Sequence, residues 1–224
     1  MTVKSEIRTA LKALYRDRPK VRKLFRLHEG KHERPYMPET ADAEFKMLAQ
    51  RSVTNLFRLL IDATAQALYV DDYRHSTDTR MEASGSSDRN PYWNHWQASR
   101  MDARQGALYR AALICGQSFA LTERRDGKVR TVGLSSANTA TLYELGDWME
   151  PVGAIHVETD PQGDESGVAY YWDERYKYTI DLRSRWRTED SAIAIVTTEP
   201  HGARSCPVTR LYCYLDLEGR ATGL

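Results

Sequence analysis

The stretch GQSFALTERRDGKVRTV, residues 116–132, contains the point at which the chain changes from helical to strand periodicity. Residues 118–123 and 129–132 favour strands, and the polar segment RRDGK separates them. At its centre stand Asp126 and Gly127, and Asp-Gly is a preferred pair in two-residue hairpin turns. The stretch therefore predicts a β-hairpin that follows a helix.

Short strands are predicted to continue from this hairpin to the end of the chain. The predicted segments, rich in β-branched and aromatic residues, are 139–143, 155–159, 168–172, 176–182, 192–196 and 208–214. Polar, glycine-containing loops such as 160–167 separate them. Because helical segments come first and strands afterwards, the pattern predicts an α+β fold with antiparallel sheets and not alternating βαβ units.

Upstream of residue 116 the apolar residues recur at helical spacing. We predict a basic helical arm over residues 1–36, split into two helices by Pro19. Long amphipathic helices are predicted at about 40–70 and 91–115, and the polar segment 76–90 is predicted to be a loop between them.

Composition excludes several classes of protein. The 224 residues are 41% hydrophobic and 28% charged, with a mean hydropathy of −0.62. No apolar run approaches the ~18 residues of a membrane span, so no membrane contact is expected. Cys115, Cys206 and Cys213 show no CxxC spacing, which argues against a disulfide scaffold or a zinc ribbon and favours a reducing cytoplasm.

Charge is distributed unevenly along the chain. Residues 1–36 contain 11 Lys and Arg against 4 Asp and Glu, a net charge of +7, so the remainder carries −6. A basic segment of this kind can bind nucleic acid or an acidic protein surface, or can be a solvated helix face. A stand-alone nucleic-acid-binding protein is therefore one hypothesis.

The pentapeptide His28-Glu29-Gly30-Lys31-His32 matches HExxH, the pattern of zinc-dependent hydrolases. In that motif the two histidines lie one turn apart on a helix, and the Glu acts as general base. Here Gly30 lies inside the motif and Pro35 follows it, which favours a turn over a helix. A zinc hydrolase is the alternative enzyme hypothesis, and a turn without a metal is the preferred prediction.

Other patterns for catalysis have simpler explanations. Asp173, Glu174 and Lys177 have the residue types of a metal-dependent nuclease, but charged residues at an exposed hairpin turn explain them. The Asp71-Asp72 pair is best explained as the entry to a loop, and Cys115 as a packed thiol on a helix. Neither a GxSxG nor a phosphate-binding glycine loop is present in the sequence. We predict no catalytic residues, no cofactor and no metal, and hence a protein that is not an enzyme.

Several segments, taken in order, resemble the portal proteins of tailed double-stranded DNA bacteriophages, of the type found in siphophages of actinobacteria. LHEGKH (27–32) with PY (35–36) is similar to that family's tyrosine-rich YYxGxH element. The helix NLFRLLIDA (55–63) with ALYV (67–70), and then GQSF (116–119) and SSAN (135–138), follow in the family's order. PVTRL (207–211) and DLEGR (216–220) resemble its PVVRF and DLxGR passage. The match covers nearly the whole chain.

The resemblance implies a structural role in the virion, at the portal vertex of the capsid, after assembly in the host cytoplasm. Family members form homo-oligomeric rings, usually dodecamers, through which DNA is packaged and ejected. Residues 37–224 would be the wing-like part of the N-terminal half, and the stem, clip and tunnel loop are expected to be absent from this chain. The implied partners are the terminase large subunit, scaffold and major capsid protein, a head-completion protein and double-stranded DNA. Candidate contacts to DNA or to a neighbouring subunit are Arg18, Lys20, Arg22, Lys23 and Arg26.

Overall fold

The computed structural model describes residues 2–32, 38, 40, 42–51, 54–73, 91–160, 162, 165–182 and 193–223. Within these ranges helices precede strands, which confirms the predicted α+β class. The helices are α1 (Val3–His28), α2 (Ala43–Arg51), α3 (Leu56–Ala67), α4 (Pro91–Ala98) and α5 (Met101–Cys115). The strands are β1 (Gln117–Arg125), β2 (Lys128–Leu134), β3 (Thr139–Leu142), β4 (Gly153–Thr159), β5 (Glu165–Trp172), β6 (Tyr176–Asp181), β7 (Ala194–Pro200), β8 (Val208–Tyr212), β9 (Tyr214–Leu215) and β10 (Ala221–Thr222).

The strands form two antiparallel sheets and a small hairpin. The larger sheet has the order β3-β4-β5-β6-β7, so each strand pairs with its neighbour in sequence. The smaller sheet has the order β2-β1-β8, in which Leu121 of β1 lies opposite Val208 of β8. This pairing brings the C-terminal part of the chain back beside the end of α5. Strands β9 and β10 pair with each other.

The β1–β2 hairpin is closed by the predicted two-residue turn. Asp126 and Gly127 both have positive φ, 51° and 75°, and Arg125 pairs with Lys128. Positive φ at both central residues matches the right-handed twist of the flanking strands. Every other predicted strand segment also overlaps an observed strand. Residue 192 and the predicted loop 76–90 lie outside the described residues.

The main core forms between α1 and the five-stranded sheet. Ile7, Ala10, Leu11 and Leu14 recur at three- and four-residue spacing, which places them on one helical face. They are fully or almost fully buried. From the sheet they meet a set of inward-facing side chains on alternate positions: Ile155, Val157, Ala169, Tyr171, Tyr178 and Ile180. The cluster fixes α1 across the sheet.

A separate cluster joins the helices to each other. Ile61 and Ala65 of α3 pack on Leu113 and Ile114 of α5, and Leu24 and Phe25 at the end of α1 pack against this cluster. The C-terminal end of α1 is therefore held by helices, whereas its N-terminal half is held by the sheet.

The prediction that Pro19 splits the first helix is wrong. Helix α1 runs without interruption from Val3 to His28 with Pro19 inside it. A proline there removes one backbone hydrogen bond and disfavours the preceding turn. Leu14, Arg18 and Val21, on both sides of the proline, are nevertheless buried, and this packing offsets the local cost.

The helices predicted at 40–70 and 91–115 are each interrupted. Asn55 adopts a non-helical conformation, and its side chain accepts the amide N–H of Arg58, which starts α3 as a separate helix. In the second case Arg100 has a left-handed φ of 54° between α4 and α5. The break lets the Ser99 hydroxyl accept the Thr131 amide of β2 at 3.1 Å. Side-chain capping by Asn55 thus overrides the continuous apolar period in the first case. In the second case no side chain caps α5, and the break is accompanied by the hydrogen bond from β2.

No helix in the described part of the chain is long and apolar enough to cross a lipid bilayer.

Candidate functional site: the basic end of the first helix

Four of the predicted contact residues lie together on the surface near the end of α1. Lys20, Arg22, Lys23 and Arg26 are exposed, and we call them the basic patch. Residues three or four apart share a helical face, so the pairs 20/23, 22/26 and 23/26 are neighbours. Arg26, in the last turn of α1, is also favoured by the helix dipole. The patch is a stable concentration of positive charge.

Arg18, the fifth predicted residue, occupies a different environment. Only 5% of its side chain is exposed, and its guanidinium forms an ion pair with Glu165 at the start of β5. Its second terminal nitrogen donates to Asn138 Oδ1 at 2.6 Å. The Tyr15 hydroxyl donates to the other Glu165 oxygen at 2.7 Å. Arg18 therefore anchors α1 to the sheet and is not part of the accessible surface.

The Asp62 carboxylate of α3 contacts three cationic or ionisable side chains, one of which is at the end of α1. Its carboxylate lies 2.9 Å from Arg110 Nε of α5, 3.3 Å from Arg58 Nε, and 3.3 Å from His28 Nε2 at the end of α1. Burial alone would raise the pKa of Asp62, but hydrogen bonds from Arg58, His28 and Arg110 hold that pKa below its ordinary value. The anionic form thus connects three helices.

Asn55 connects α1 to α3 directly. Its Nδ2 donates to the carbonyl of His28 at 2.9 Å and to that of Leu27 at 3.3 Å. Its Oδ1 accepts the amide of Arg58 at 3.0 Å. One side chain therefore satisfies groups at the end of one helix and the start of another. Sequence reasoning missed this role, although an Asn directly before an apolar helical run is a capping signal.

Comparison with known protein families identifies the family of this chain. The family model of the phage portal protein, SPP1 Gp6-like, matches residues 10–221. The chain belongs to this portal protein family. A search of curated proteins found no match. The matched range contains the basic patch, Arg18, Asn55 and Asp62, so the whole site lies within the portal region. The predicted family is confirmed and its role is structural, while the siphophage and actinobacterial type stays a prediction.

In this portal protein the HExxH segment does not form a zinc-binding helix. Helix α1 ends at His28, Gly30 has a positive φ of 81°, and His32 lies beyond the turn. Glu29 pairs with Lys31 at 2.6 Å, and His28 faces Asp62. Across the described ranges, no group of three or more His, Cys, Asp and Glu side chains could hold a metal ion. The predicted turn is confirmed, and Pro35 lies outside the described residues.

Asp173 and Lys177, two of the three side chains considered for a nuclease, are engaged in contacts with other groups of the sheets and of the β5–β6 turn. Asp173 Oδ1 accepts the amides of Arg175 and Tyr176 at 2.7 and 2.6 Å, and Oδ2 accepts the Tyr178 hydroxyl at 2.8 Å. Lys177 lies 3.6 Å from Glu123 and 4.8 Å above the ring centroid of Tyr170. The Asp173 contacts orient the turn, as the simpler explanation predicted, and the Lys177 contacts join neighbouring strands.

The described surroundings of Cys115 and of the Asp71-Asp72 pair also match their simpler explanations. The Cys115 thiol packs against the α3–α5 cluster and lies 2.8 Å from the carbonyl oxygen of Ala111. Burial raises the pKa of this thiol, so it is less nucleophilic at neutral pH. Asp71 and Asp72 are exposed and follow the end of α3 at Ala67, where they enter a non-helical segment.

Proposed function

We propose that this portal protein is one wall segment of a homo-oligomeric ring, twelve subunits in number, at one vertex of a phage capsid. Double-stranded DNA would pass through the ring during packaging and ejection. The observation that carries the proposal is the family match over residues 10–221, which spans α1 to β10. The arrangement of the described side chains supports a role in contacts, because the ionisable clusters are used to hold elements together.

The basic patch is proposed as a contact surface of the ring, toward a neighbouring subunit or toward packaged DNA. Its support is the exposure of four cations on one end of α1, while Arg18, Asn55 and Asp62 fix that end relative to the rest of the chain. A preorganised surface loses less conformational entropy on binding than a mobile one. This portal protein is proposed to catalyse no reaction.

The other proposed partners are the terminase large subunit, scaffold and major capsid protein, and a head-completion protein. Their support is the portal family itself, since a ring at the capsid vertex meets the packaging motor on one side and the shell around it. The proposed location is the virion, with assembly in the host cytoplasm.

Negative-stain imaging and native mass spectrometry of the purified chain test the proposal. We expect closed rings with one dominant subunit number. A protein that is monomeric at every concentration, with a DNA affinity that falls steeply with salt, would instead support the stand-alone nucleic-acid-binding hypothesis. Zinc bound at a ratio of one per chain and lost in His28→Ala would support the hydrolase hypothesis.

A further inference from the structure

Helices α2 and α3 carry large apolar side chains that the described part of the chain leaves uncovered. Each is between 49% and 66% exposed: Phe45, Met47, Leu48, Leu56, Leu59 and Leu60. We call this set the α2–α3 surface. Isolated exposed apolar residues are normal on a protein surface, but a set of six on two consecutive helices marks an interaction site.

Helix α3 is apolar on two sides, and within the described ranges only one of them packs on other elements of the chain. Ile61 and Ala65 face α5 and are buried. Leu56, Leu59 and Leu60, at spacings of three and four residues, share a different face that points away from this cluster. Helices that are apolar around most of their circumference are normally buried. The second face therefore indicates a partner.

Helix α2 leads to the same conclusion by a different route. It has nine residues, and none of its described residues is buried. Helices shorter than about 12–15 residues are marginal in water and derive their stability from packing of an apolar face. Phe45 and Leu48 form such a face, at a spacing of three. Packing against another molecule would supply the missing stabilisation.

The size of the α2–α3 surface fits a protein partner. Six half-exposed large side chains leave on the order of 500 Å² of apolar area, against about 800 Å² buried per partner in a standard protein interface. Surfaces that bind DNA are more polar and more positively charged than this one. The surface therefore fits a protein and not nucleic acid.

A second apolar surface lies on other elements of the same chain. Leu145 and Leu217 are fully exposed, and Met149 and Tyr214 are 65% and 63% exposed. We call these four residues the hairpin surface, because they lie on the β3–β4 loop and the β9–β10 hairpin. The Tyr212 hydroxyl lies 3.1 Å from the Met149 sulfur, which holds the loop beside the end of β8 next to the hairpin.

Segments of opposite charge lie near the two surfaces. Residues 143–152 and 214–222, which carry the hairpin surface, contain five Asp and Glu against one Arg. Helix α3, which carries part of the α2–α3 surface on its other face, lies beside the basic end of α1, since Leu24 and Phe25 of α1 pack against the cluster formed by Ile61 of α3. Complementary potentials bring two surfaces together in the correct orientation.

Two different, complementary surfaces on one chain are what a head-to-tail ring requires, because each subunit meets one neighbour with each surface. We propose that the α2–α3 surface binds the hairpin surface of a second copy of this chain. The proposal rests on the ring function proposed above and adds the surfaces through which neighbours meet. The basic patch then lies beside the acidic residues of the neighbour's hairpin surface.

Leu59→Glu and Leu217→Glu test the proposal, one on each surface. Both side chains are exposed in the single chain, so each variant is expected to keep the wild-type circular dichroism spectrum and melting temperature. Each variant alone is expected to lose rings, with a dissociation constant raised at least about tenfold in sedimentation experiments. Val196→Glu is the matched control, because Val196 is 64% exposed on β7 and belongs to neither surface. It is expected to form rings like the wild type.

Mixing the two variants makes the test specific for a head-to-tail contact. Leu217→Glu retains an intact α2–α3 surface, and Leu59→Glu retains an intact hairpin surface, so an equimolar mixture is expected to give heterodimers in native mass spectrometry. Rings that persist in either variant, or a mixture that stays monomeric, would overturn the proposed contact. If the wild type forms rings, these failures leave the ring function standing, whereas a wild type without rings contradicts the ring function itself.

Discussion

Arg18 Nη2 donates to Asn138 Oδ1 at 2.6 Å, across 120 residues of sequence. The contact joins the middle of α1 to the turn that precedes β3, and the same guanidinium pairs with Glu165 of β5. The Arg18 side chain, which is nearly buried, therefore holds α1, the turn before β3 and strand β5 together. This arrangement determines how α1 crosses the sheet and, with it, where the basic patch projects.

Replacing Arg18 by Ala is expected to destabilise the fold by about 2 kcal/mol. Breaking a buried ion pair costs more than breaking an exposed one because the remaining charge is left uncompensated, and here Glu165 is about one-third exposed, which reduces the cost. Urea unfolding measures the change. Arg16→Ala is the control: Arg16 pairs with Asp17 on the surface, and its loss should change the unfolding free energy by less than about 0.5 kcal/mol. Equal losses in the two variants would contradict the anchoring role.

Reversing the charge of the basic patch is expected to impair the ring without unfolding the chain. The triple variant Arg22→Glu, Lys23→Glu and Arg26→Glu replaces three exposed cations, so its melting temperature should stay close to that of the wild type. Ring formation in negative-stain images, or DNA retention in assembled particles, should fall. The change in ring formation should weaken at high salt, since exposed charges are screened.

A matched control for this variant lies in the turn of the β1–β2 hairpin. Arg124, Arg125 and Lys128 are also exposed cations, and converting all three to Glu changes the net charge by the same amount. We expect normal rings and normal DNA retention in this control. If both triple variants have the same defect, net charge is the cause and the basic patch has no specific role.

The parts of this fold that were predictable are those set by local chemistry. The Asp126-Gly127 turn requires two positive φ values, which few other residue pairs tolerate, and strand alternation located the sheets. The path of α1 through Pro19 was not predictable, because the burial of side chains on both sides of the proline decides it, and one of them, Leu14, packs on the distant five-stranded sheet. The burial of Arg18 depends on Glu165, 147 residues away, and no pattern near Arg18 distinguishes it from Arg22.

The two helix interruptions, at Asn55 and at Arg100, differ in how far the sequence alone predicts them. Asn55 precedes an apolar run and has the side chain of an N-cap, so the start of α3 was encoded locally but was masked by the continuous apolar period. The break at Arg100 has no such residue, because the left-handed φ is stabilised by the contact of Ser99 with β2. The interruption at Asn55 can therefore be predicted from the local sequence, whereas the interruption at Arg100 is visible only in the tertiary structure.

Acid is expected to destabilise the protein through His156. Burial lowers the pKa of His156 to about 4 from its ordinary 6.5, and its Nδ1 lies 2.9 Å from the Thr139 hydroxyl. The folded state therefore excludes a proton that the unfolded chain binds. Stability from this group is complete above about pH 6.5 and is lost as the pH falls toward 4, by at most about 3 kcal/mol.

Urea unfolding at several pH values between 7.5 and 4.5 measures this effect. In His156→Gln, which can still hydrogen-bond Thr139, the loss of stability over that range should be smaller than in the wild type. The pKa of Asp62 is held below its ordinary value of 3.8, so that group contributes mainly at lower pH. Identical pH profiles for the two proteins would show that His156 is not the group responsible.

Gly219 lets the C-terminal hairpin lie directly against Trp148. A Cβ at this position would stand 2.2 Å from the indole ring, and its φ is +71°. Gly219→Ala therefore adds a steric clash to the cost of a left-handed conformation, about 1–2 kcal/mol for an L-residue. Gly202 has a similar φ of +73° with nothing within 4 Å of the added Cβ, so Gly202→Ala carries the backbone cost alone.

The difference in unfolding free energy between Gly219→Ala and Gly202→Ala isolates the contact with Trp148 and should be about 1–3 kcal/mol. Faster amide hydrogen exchange over residues 214–222 in Gly219→Ala, and not in Gly202→Ala, would locate the loss in the hairpin, whereas equal destabilisation of the two variants would mean that Trp148 does not hold it.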